Sequence, residues 1–325
     1  MGYQGRSNVG LRIQQQKLPV INFGKENLQH ATKGWSLARN EVLHALEECG
    51  CFLAVYDAVS FKLRDSVFSA LEKLFDLPLE TKKKNTSDRD LFGYFGIDGD
   101  SSNHESMGIE NSTDIEEVKK FSKLVWPQGN DDNFSGIIHE CANLMSELEE
   151  VVIRMVYESY GVEKLKCDSH LDSNMHLLRF NRYISHGVDE KTVSSNAHTD
   201  KTFITILTES RENGLEVKLK DGQWIPVDFL PSSFVVMAGE AAMAWSNNTI
   251  QPCFHRVLTN ANAKRLSLGL FSFNKGVIHI PQELIDDEHP QRFKSFDNLG
   301  LLDFFLEEQR MGLPTDSTTK KYCGL

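Results

Sequence analysis

The sequence predicts an α+β protein in which a helical N-terminal part and a helical tail flank a core of short β-strands. Three observations carry this reading. The composition is that of a soluble globular chain, with 40% hydrophobic and 25% charged residues among 325. A stripe of apolar residues at helical spacing runs from residue 137 to 160. After residue 175 the texture changes to about eight short runs separated by turn residues, the pattern of a sandwich, barrel or jelly roll.

In order, residues 18–23 form a short apolar run after a polar tail and read as an early strand. Ser36 can cap a helix through about Glu48, with Gly50 as its stop. Residues 51–56 read as a buried strand, and 60–75 as a helix ending before Pro78; a polar turn follows over 80–85. Residues 86–135 contain Gly93, Gly96 and Gly99 and little periodicity. An irregular stretch of that length inside a compact chain suggests a lid or binding loop. In the next helix Cys141, Met145, Leu148, Val152 and Met155 build a face for a sheet, and Gly161 closes it. The strand runs are 176–183, 203–209, 215–220, 223–227, 233–238, 242–246, 254–258 and 265–273. Asp221-Gly222 between two of them is a two-residue hairpin signal. A helix over 299–309 follows, with Leu302, Phe305 and Leu306 packing on the β core.

The net charge of −11 argues against a nucleic-acid partner, and Lys82-Lys83-Lys84 reads as a solvated helix end. No apolar run approaches the roughly 18 residues of a membrane span. The first residues lack the apolar centre of a secretory signal, Arg6 breaks a myristoylation pattern, and Cys323 is misplaced for prenylation. Cys49, Cys51, Cys141, Cys167, Cys253 and Cys323 are too scattered for a disulfide framework. A cytosolic monomer with reduced thiols, no membrane association and no obligate protein partner is expected.

Chemistry-bearing residues concentrate in three places: 196–201 (NAHTDK), 253–257 (CFHRV) and 264–267 (KRLS). A His-x-Asp pair is weak by itself, and His170-Leu171-Asp172 in a polar connection is a second instance. His198 and Asp200 instead stand where the strand 203–209 begins, where alternation points both side chains the same way. His255 lies 55 residues beyond Asp200, far enough for a second strand to return beside the first. A core histidine satisfied by a neighbour is its plainer reading. Two imidazoles and one carboxylate with open positions form the facial triad of iron(II) oxygenases. A catalytic zinc lacks a positioned base or a His-Glu-x-x-His helix here. Arg265, ten residues after His255, should lie on a strand running back beside it. Among Leu266, Leu268 and Leu270 an arginine is costly to bury without an anion. A bidentate carboxylate is the natural partner, and Ser267 shares the face; a surface arginine is the alternative.

With these residues in place, the chain resembles the plant soluble 2-oxoglutarate- and iron(II)-dependent dioxygenases, which have the isopenicillin N synthase-like fold. The likeness runs from Leu18 to the C-terminus through LPVINF, EECGCFLAV, LFDLPLETKKKN, GLEVKLKDGQWIPV, PSSFVVMAGE, AWSN, HRV and RLSLGLFSF. AHTDKTFITIL and HPQRFKSFD resemble the branch of auxin oxidases and glucosinolate side-chain oxygenases. The resemblance implies a double-stranded β-helix (jelly-roll) core over 166–280. Around it stand a flexible tail at 1–17, a helical region over 18–165 and a helical tail over 281–325. It implies iron(II) on His198, Asp200 and His255, and 2-oxoglutarate gripped by Arg265 and Ser267. Asn181 and Tyr183 are implied to line the co-substrate pocket, and Phe271, Phe203 and Arg179 to face the substrate. O2 is the oxidant and ascorbate a supporting reductant.

Gly239-Glu240 and Asn247-Asn248 depart from the family's Gly-Asp and Asn-Gly, and Tyr183 continues into Ile-Ser-His rather than proline. The activity implied is oxidation of a small, largely hydrophobic plant specialised metabolite such as a terpenoid, alkaloid or phenolic, with release of succinate and CO2. Hydroxylation, demethylation, desaturation and ring closure are all open. An auxin-like acid oxidase, a 2-oxoglutarate-independent iron oxidase and a non-enzymatic binder are the alternatives.

Overall fold

The computed structural model describes residues 17–96, 104–129, 133–184, 192–210, 212–260 and 263–325. The expected flexible tail lies outside them except for Lys17, as do 97–103 and 130–132 of the stretch read as a lid. The first elements are β1 (Val20–Asn22), α1 (Lys25–Leu28), α2 (Lys33–Glu48), β2 (Cys51–Val55), α3 (Phe61–Phe75) and α4 (Leu79–Lys82). Thr32 rather than Ser36 starts α2, its hydroxyl accepting from the Trp35 N–H at 3.2 Å. Ser60 caps α3 by accepting from the Leu63 N–H at 3.1 Å.

Residues 86–135 are not irregular throughout. They include β3 (His104–Glu110) and α5 (Ile115–Val125). β3 hides from an alternation test because residues on both its faces are buried, polar ones included. Its Glu105 is satisfied by Lys82 at 2.8 Å and by Arg182. For α5 the signals are present: Asp114 caps the Glu116 N–H, and Val118, Phe121 and Val125 are buried at helical spacing.

The rest of the chain runs α6 (Phe134–Ser159), α7 (Lys164–Asp172), β4 (Asn174–Ile184), β5 (Thr192–His198), β6 (Ile204–Glu209), β7 (Leu215–Lys218), β8 (Trp224–Pro226) and β9 (Ser233–Ala238). Then come α8 (Glu240–Trp245), β10 (His255–Thr259), β11 (Lys264–Asn274), α9 (Asn298–Arg310) and α10 (Thr318–Cys323). The strand expected over 242–246 is the helix α8. Its Ala-Met-Ala-Trp run alternates by size, but alanine favours helix, and burial all round erases any helical stripe. The Asp221-Gly222 hairpin forms with a longer turn: only Gly222 is left-handed (φ 89°), and Leu219 N–H closes on the Gln223 carbonyl at 2.9 Å. His170-Leu171-Asp172 ends α7 instead of lying in a connection.

Apart from a small two-stranded sheet that pairs Val277–Ile278 with Phe296–Asp297, the strands form two sheets that make the double-stranded β-helix. The large one has the order β1-β2-β9-β6-β11-β4-β3, the small one β5-β10-β7-β8. β11 pairs with β4 and β6, while β10 pairs with β5 and β7. Arg265 and His255 therefore stand on opposite sheets, not on neighbouring strands as expected. The alternation of β11 divides its residues. Leu266, Leu268 and Leu270 join the core under α6 with Ile138, Met145, Leu148 and Val152. Arg265, Ser267 and Phe271 face the space between the sheets. Leu53, Leu207, Val217, Val235 and Val257 fill one end of that space and leave the other to the C-terminal helix. Glu149 on α6 accepts from His176 Nε2 at 2.6 Å and Asn174 Nδ2 at 3.2 Å, tying the helix to β4. α9 closes that other end, with Leu302 and Leu306 packed on Phe92, Leu177 and Phe273.

Candidate functional site

β5 and β10 are neighbours in the small sheet, and their register sets His198 directly opposite His255. The imidazole Nδ1 of each faces the carbonyl two residues upstream, Asn196 at 2.7 Å and Cys253 at 3.1 Å. A ring that donates from Nδ1 keeps its lone pair on Nε2, so both Nε2 atoms are ligands in waiting. Asp200 comes from the loop after β5, not from the strand that follows it. Its Oδ1 lies 3.6 Å from His198 Nε2 and 4.0 Å from His255 Nε2. Its Oδ2 accepts from the Thr205 hydroxyl at 2.7 Å, which fixes the carboxylate's rotation.

The three donors lie within 4.8 Å of one another. Two neutral imidazoles and one carboxylate suit divalent iron and leave positions open for other ligands. Burial first, then the facing His255 ring, lowers the pKa of His198, although 40% of its side chain stays open at the cavity mouth. Burial opposes the charge on Asp200, but His255, His198 and the Thr205 hydroxyl outweigh it and hold its pKa below the usual value.

Beside these donors a cavity of about 180 Å³ opens between the sheets. Tyr183, Asn181, His104 and Arg265 are among the residues that line it. Asn181 Oδ1 lies 3.1 Å from His104 Nε2, and its Nδ2 lies 3.4 Å from Ser267 Oγ. His104 stacks on Tyr183 with centroids 4.3 Å apart, and the Arg265 guanidinium sits 4.8 Å from the centroid of the same Tyr183 ring. Burial lowers the His104 pKa to about 4, so its ring is neutral. Arg265 is only 1% exposed, and its Nε donates to Glu209 Oε2 at 2.7 Å; Nη2 pairs with the same oxygen. Arg265 Nη1 is buried with no hydrogen-bond partner among the described residues. That orphan donor, with Ser267 two residues on, is what a carboxylate entering the cavity would meet.

Apolar side chains line the cavity as well: Leu177, Phe271, Phe273, Leu302 and Phe305. Arg179 stands among them. Its Nε and Nη2 donate only to Ser106 Oγ, at 3.2 and 2.7 Å, and it makes no ion pair among the described residues. Phe203 is not in this wall. It lies just before β6, outside the strand's alternation, is 1% exposed and packs on His170 and Trp245, with centroids 4.3 and 5.5 Å away.

Sequence reasoning missed four residues that shape the site. Thr205 and Glu209 lie on the inward face of β6 with Leu207, and Glu209 pairs in register with Ser267, so alternation could have found both. His104 sat in a stretch without pattern. Glu240, noted only as a departure, holds Lys201 Nζ at 2.6 Å and accepts from the Thr199 and Thr319 hydroxyls. Its N–H also donates to the Asp200 carbonyl at 2.8 Å, so it braces the loop that carries the carboxylate ligand.

Residues 174–274 match the 2OG-Fe(II) oxygenase superfamily, and residues 18–135 match the family described as non-haem dioxygenase in morphine synthesis N-terminal. The chain is 38% identical over 299 residues to the probable 2-oxoglutarate-dependent dioxygenase AOP1.2 of Arabidopsis thaliana, covering 90% of this chain and 92% of that one. It is similar in structure to the dioxygenase for auxin oxidation in rice, with TM-score 0.79, 26% identity, and 94% and 100% of the two chains covered. The 2-oxoglutarate complex of the Arabidopsis thaliana auxin-oxidation dioxygenase AtDAO1 shares the fold at TM-score 0.75 and 24% identity, over 84% and 99% of the chains.

Proposed function

This chain belongs to the 2OG-Fe(II) oxygenase superfamily, and from that premise we propose that it oxidises a small, largely hydrophobic plant specialised metabolite. It is a 2-oxoglutarate-dependent dioxygenase that uses iron(II), 2-oxoglutarate and O2. The observation that carries the proposal is the convergence of three donors beside a cavity lined by Asn181 and Arg265 together with a set of apolar and aromatic side chains.

In this reading His198, Asp200 and His255 hold the iron. Bound there with 2-oxoglutarate and O2, the iron supplies the oxidising power, and 2-oxoglutarate is decarboxylated to succinate. The chain does the rest. The Asn196 and Cys253 carbonyls and the Thr205 hydroxyl keep the three donors aimed. Arg265 Nη1 and Ser267 Oγ take the distal carboxylate, with Tyr183 and Asn181 as the adjoining wall. Phe271, Phe273, Leu302 and Phe305 shed water from the reacting carbon and fix which carbon is presented.

A substrate that carries a carboxylate is a second reading, favoured by Arg179, a guanidinium in the cavity wall without a carboxylate partner among the described residues. The rice neighbour's action on auxin, an acid, supports the same direction. A screen of apolar acids beside their methyl esters and neutral terpenoids, alkaloids and phenolics tests both, with succinate release as readout. Turnover of neutral compounds and their acids alike supports the broad reading; turnover of acids alone supports the narrow one. Succinate release that no compound stimulates contradicts both.

A further inference from the structure

Arg265 already has a carboxylate. Its Nε and Nη2 edge is occupied by Glu209, and the two side chains are 1% and 0% exposed. Glu209 is in turn held from behind: its Oε1 accepts from the Gly214 N–H at 3.3 Å. A side chain at position 214 is excluded, because a Cβ there would stand 2.4 Å from the Leu258 carbonyl and 2.8 Å from Arg265 Cδ. Glu209 is thus built in, not a passing surface partner. A guanidinium offers two bidentate edges, and the one left to Arg265 is Nη1–Nη2, whose Nη1 is the orphan donor of the site.

We propose that Glu209 is a positioning residue that turns the Nη1–Nη2 edge of Arg265 into the cavity and, as a resident anion, holds down the affinity for the co-substrate's distal carboxylate. The inference rests on Arg265 being the anchor for 2-oxoglutarate. Two carboxylates must then share one buried guanidinium. The incoming one meets a pair of no net charge instead of a free cation, and it gains orientation from the fixed edge more than Coulombic attraction. Burial pushes the Glu209 pKa up, with Arg265 and the Gly214 and Leu215 N–H groups opposing.

The test is calorimetric binding to the protein loaded with manganese(II), which does not turn over. The probes are 2-oxoglutarate and 2-oxovalerate, which has the same chelating end and no distal carboxylate. In the wild type the distal carboxylate should improve affinity by no more than about tenfold, where a lone buried arginine would give far more. Glu209→Gln should tighten 2-oxoglutarate by about tenfold and leave 2-oxovalerate unchanged, a difference that a merely structural role would not produce. A wild-type preference of a thousandfold, or a Glu209→Gln effect equal on both probes, overturns the inference; the wild-type comparison stands even if the variant does not fold. If manganese binds but neither oxoacid does, the co-substrate reading itself fails, and this inference falls with it.

Discussion

His198 and His255 face each other across two paired strands, with ring centroids 4.3 Å apart and each Nδ1 tied to a carbonyl two residues upstream. The repeated arrangement means that strand pairing, not a flexible loop, sets the distance between the two nitrogen ligands. Replacing either ring removes a donor without disturbing a ladder. His198→Ala and His255→Ala should each abolish tight iron(II) binding and leave the far-UV spectrum unchanged. A folded variant that still binds iron as the parent does would exclude that residue as a ligand.

Glu240 and Lys201 form a buried pair beneath the Asp200 loop, and Lys201 also sits 4.2 Å over the Phe305 ring. Glu240→Ala strands the ammonium, and losing one partner of a buried pair costs about 3–5 kcal/mol. Metal affinity should fall by about 10–100-fold, the usual effect of removing an outer-shell support. Thermal unfolding and iron titration of the same sample check the two effects. Equal affinity in variant and parent would show that the loop holds its shape unaided.

Arg179 should matter for one class of substrate only. Arg179→Met keeps the chain's bulk and removes the charge. The expected result is a KM raised at least tenfold for an acid substrate, with 2-oxoglutarate and iron binding unchanged. An unchanged KM for acids would leave Arg179 as a brace for Ser106.

Phe203 and Phe271 separate packing from selection. Phe203→Ala opens a hole beside Trp245 and should cost about 3–5 kcal/mol, with the substrate profile unaltered. Phe271→Ala in the cavity wall should shift the substrate profile at a smaller stability cost. Chemical denaturation and the succinate screen, run on both, decide; a reversed pattern would put Phe203 in the substrate pocket.

His170 gives the fold a pH dependence. Its Nε2 is buried without a hydrogen-bond partner among the described residues, and burial lowers its pKa from 6.5 to about 4. Between those values the unfolded chain binds the proton and the folded chain does not, so stability is full above pH 6.5 and falls as pH drops towards 4. The penalty approaches about 3 kcal/mol at the acid end. His104 and His198, also lowered to about 4, add to the same slope, so His170→Gln should reduce it by one residue's share; an unchanged slope would assign the dependence to the others.

Much of this was legible in the sequence where period and chemistry coincide. The α6 stripe, the β11 alternation and the His198, Asp200 and His255 donor types needed no structure. Legibility failed where burial is uniform. α8 is apolar all round, and β3 carries Glu105 and Ser106 inside, so neither shows a period. It failed again for β5, whose Thr-Val-Ser-Ser-Asn run lies at the edge of the small sheet with most side chains partly open. Missing β5 put Asp200 on a strand and Arg265 beside His255, although sheet pairing places them otherwise. The Glu209–Arg265 pair is a contact across strands 56 residues apart in sequence, and no local pattern announces its partner.

The most direct measurement is an anaerobic titration of iron(II) and 2-oxoglutarate into the metal-free protein, following the visible absorption of the metal–oxoacid chelate. The account predicts a band in the parent, none in His255→Ala, and in Arg265→Ala a band that needs far more 2-oxoglutarate to develop. Iron bound by the parent with no band at any 2-oxoglutarate concentration would contradict it.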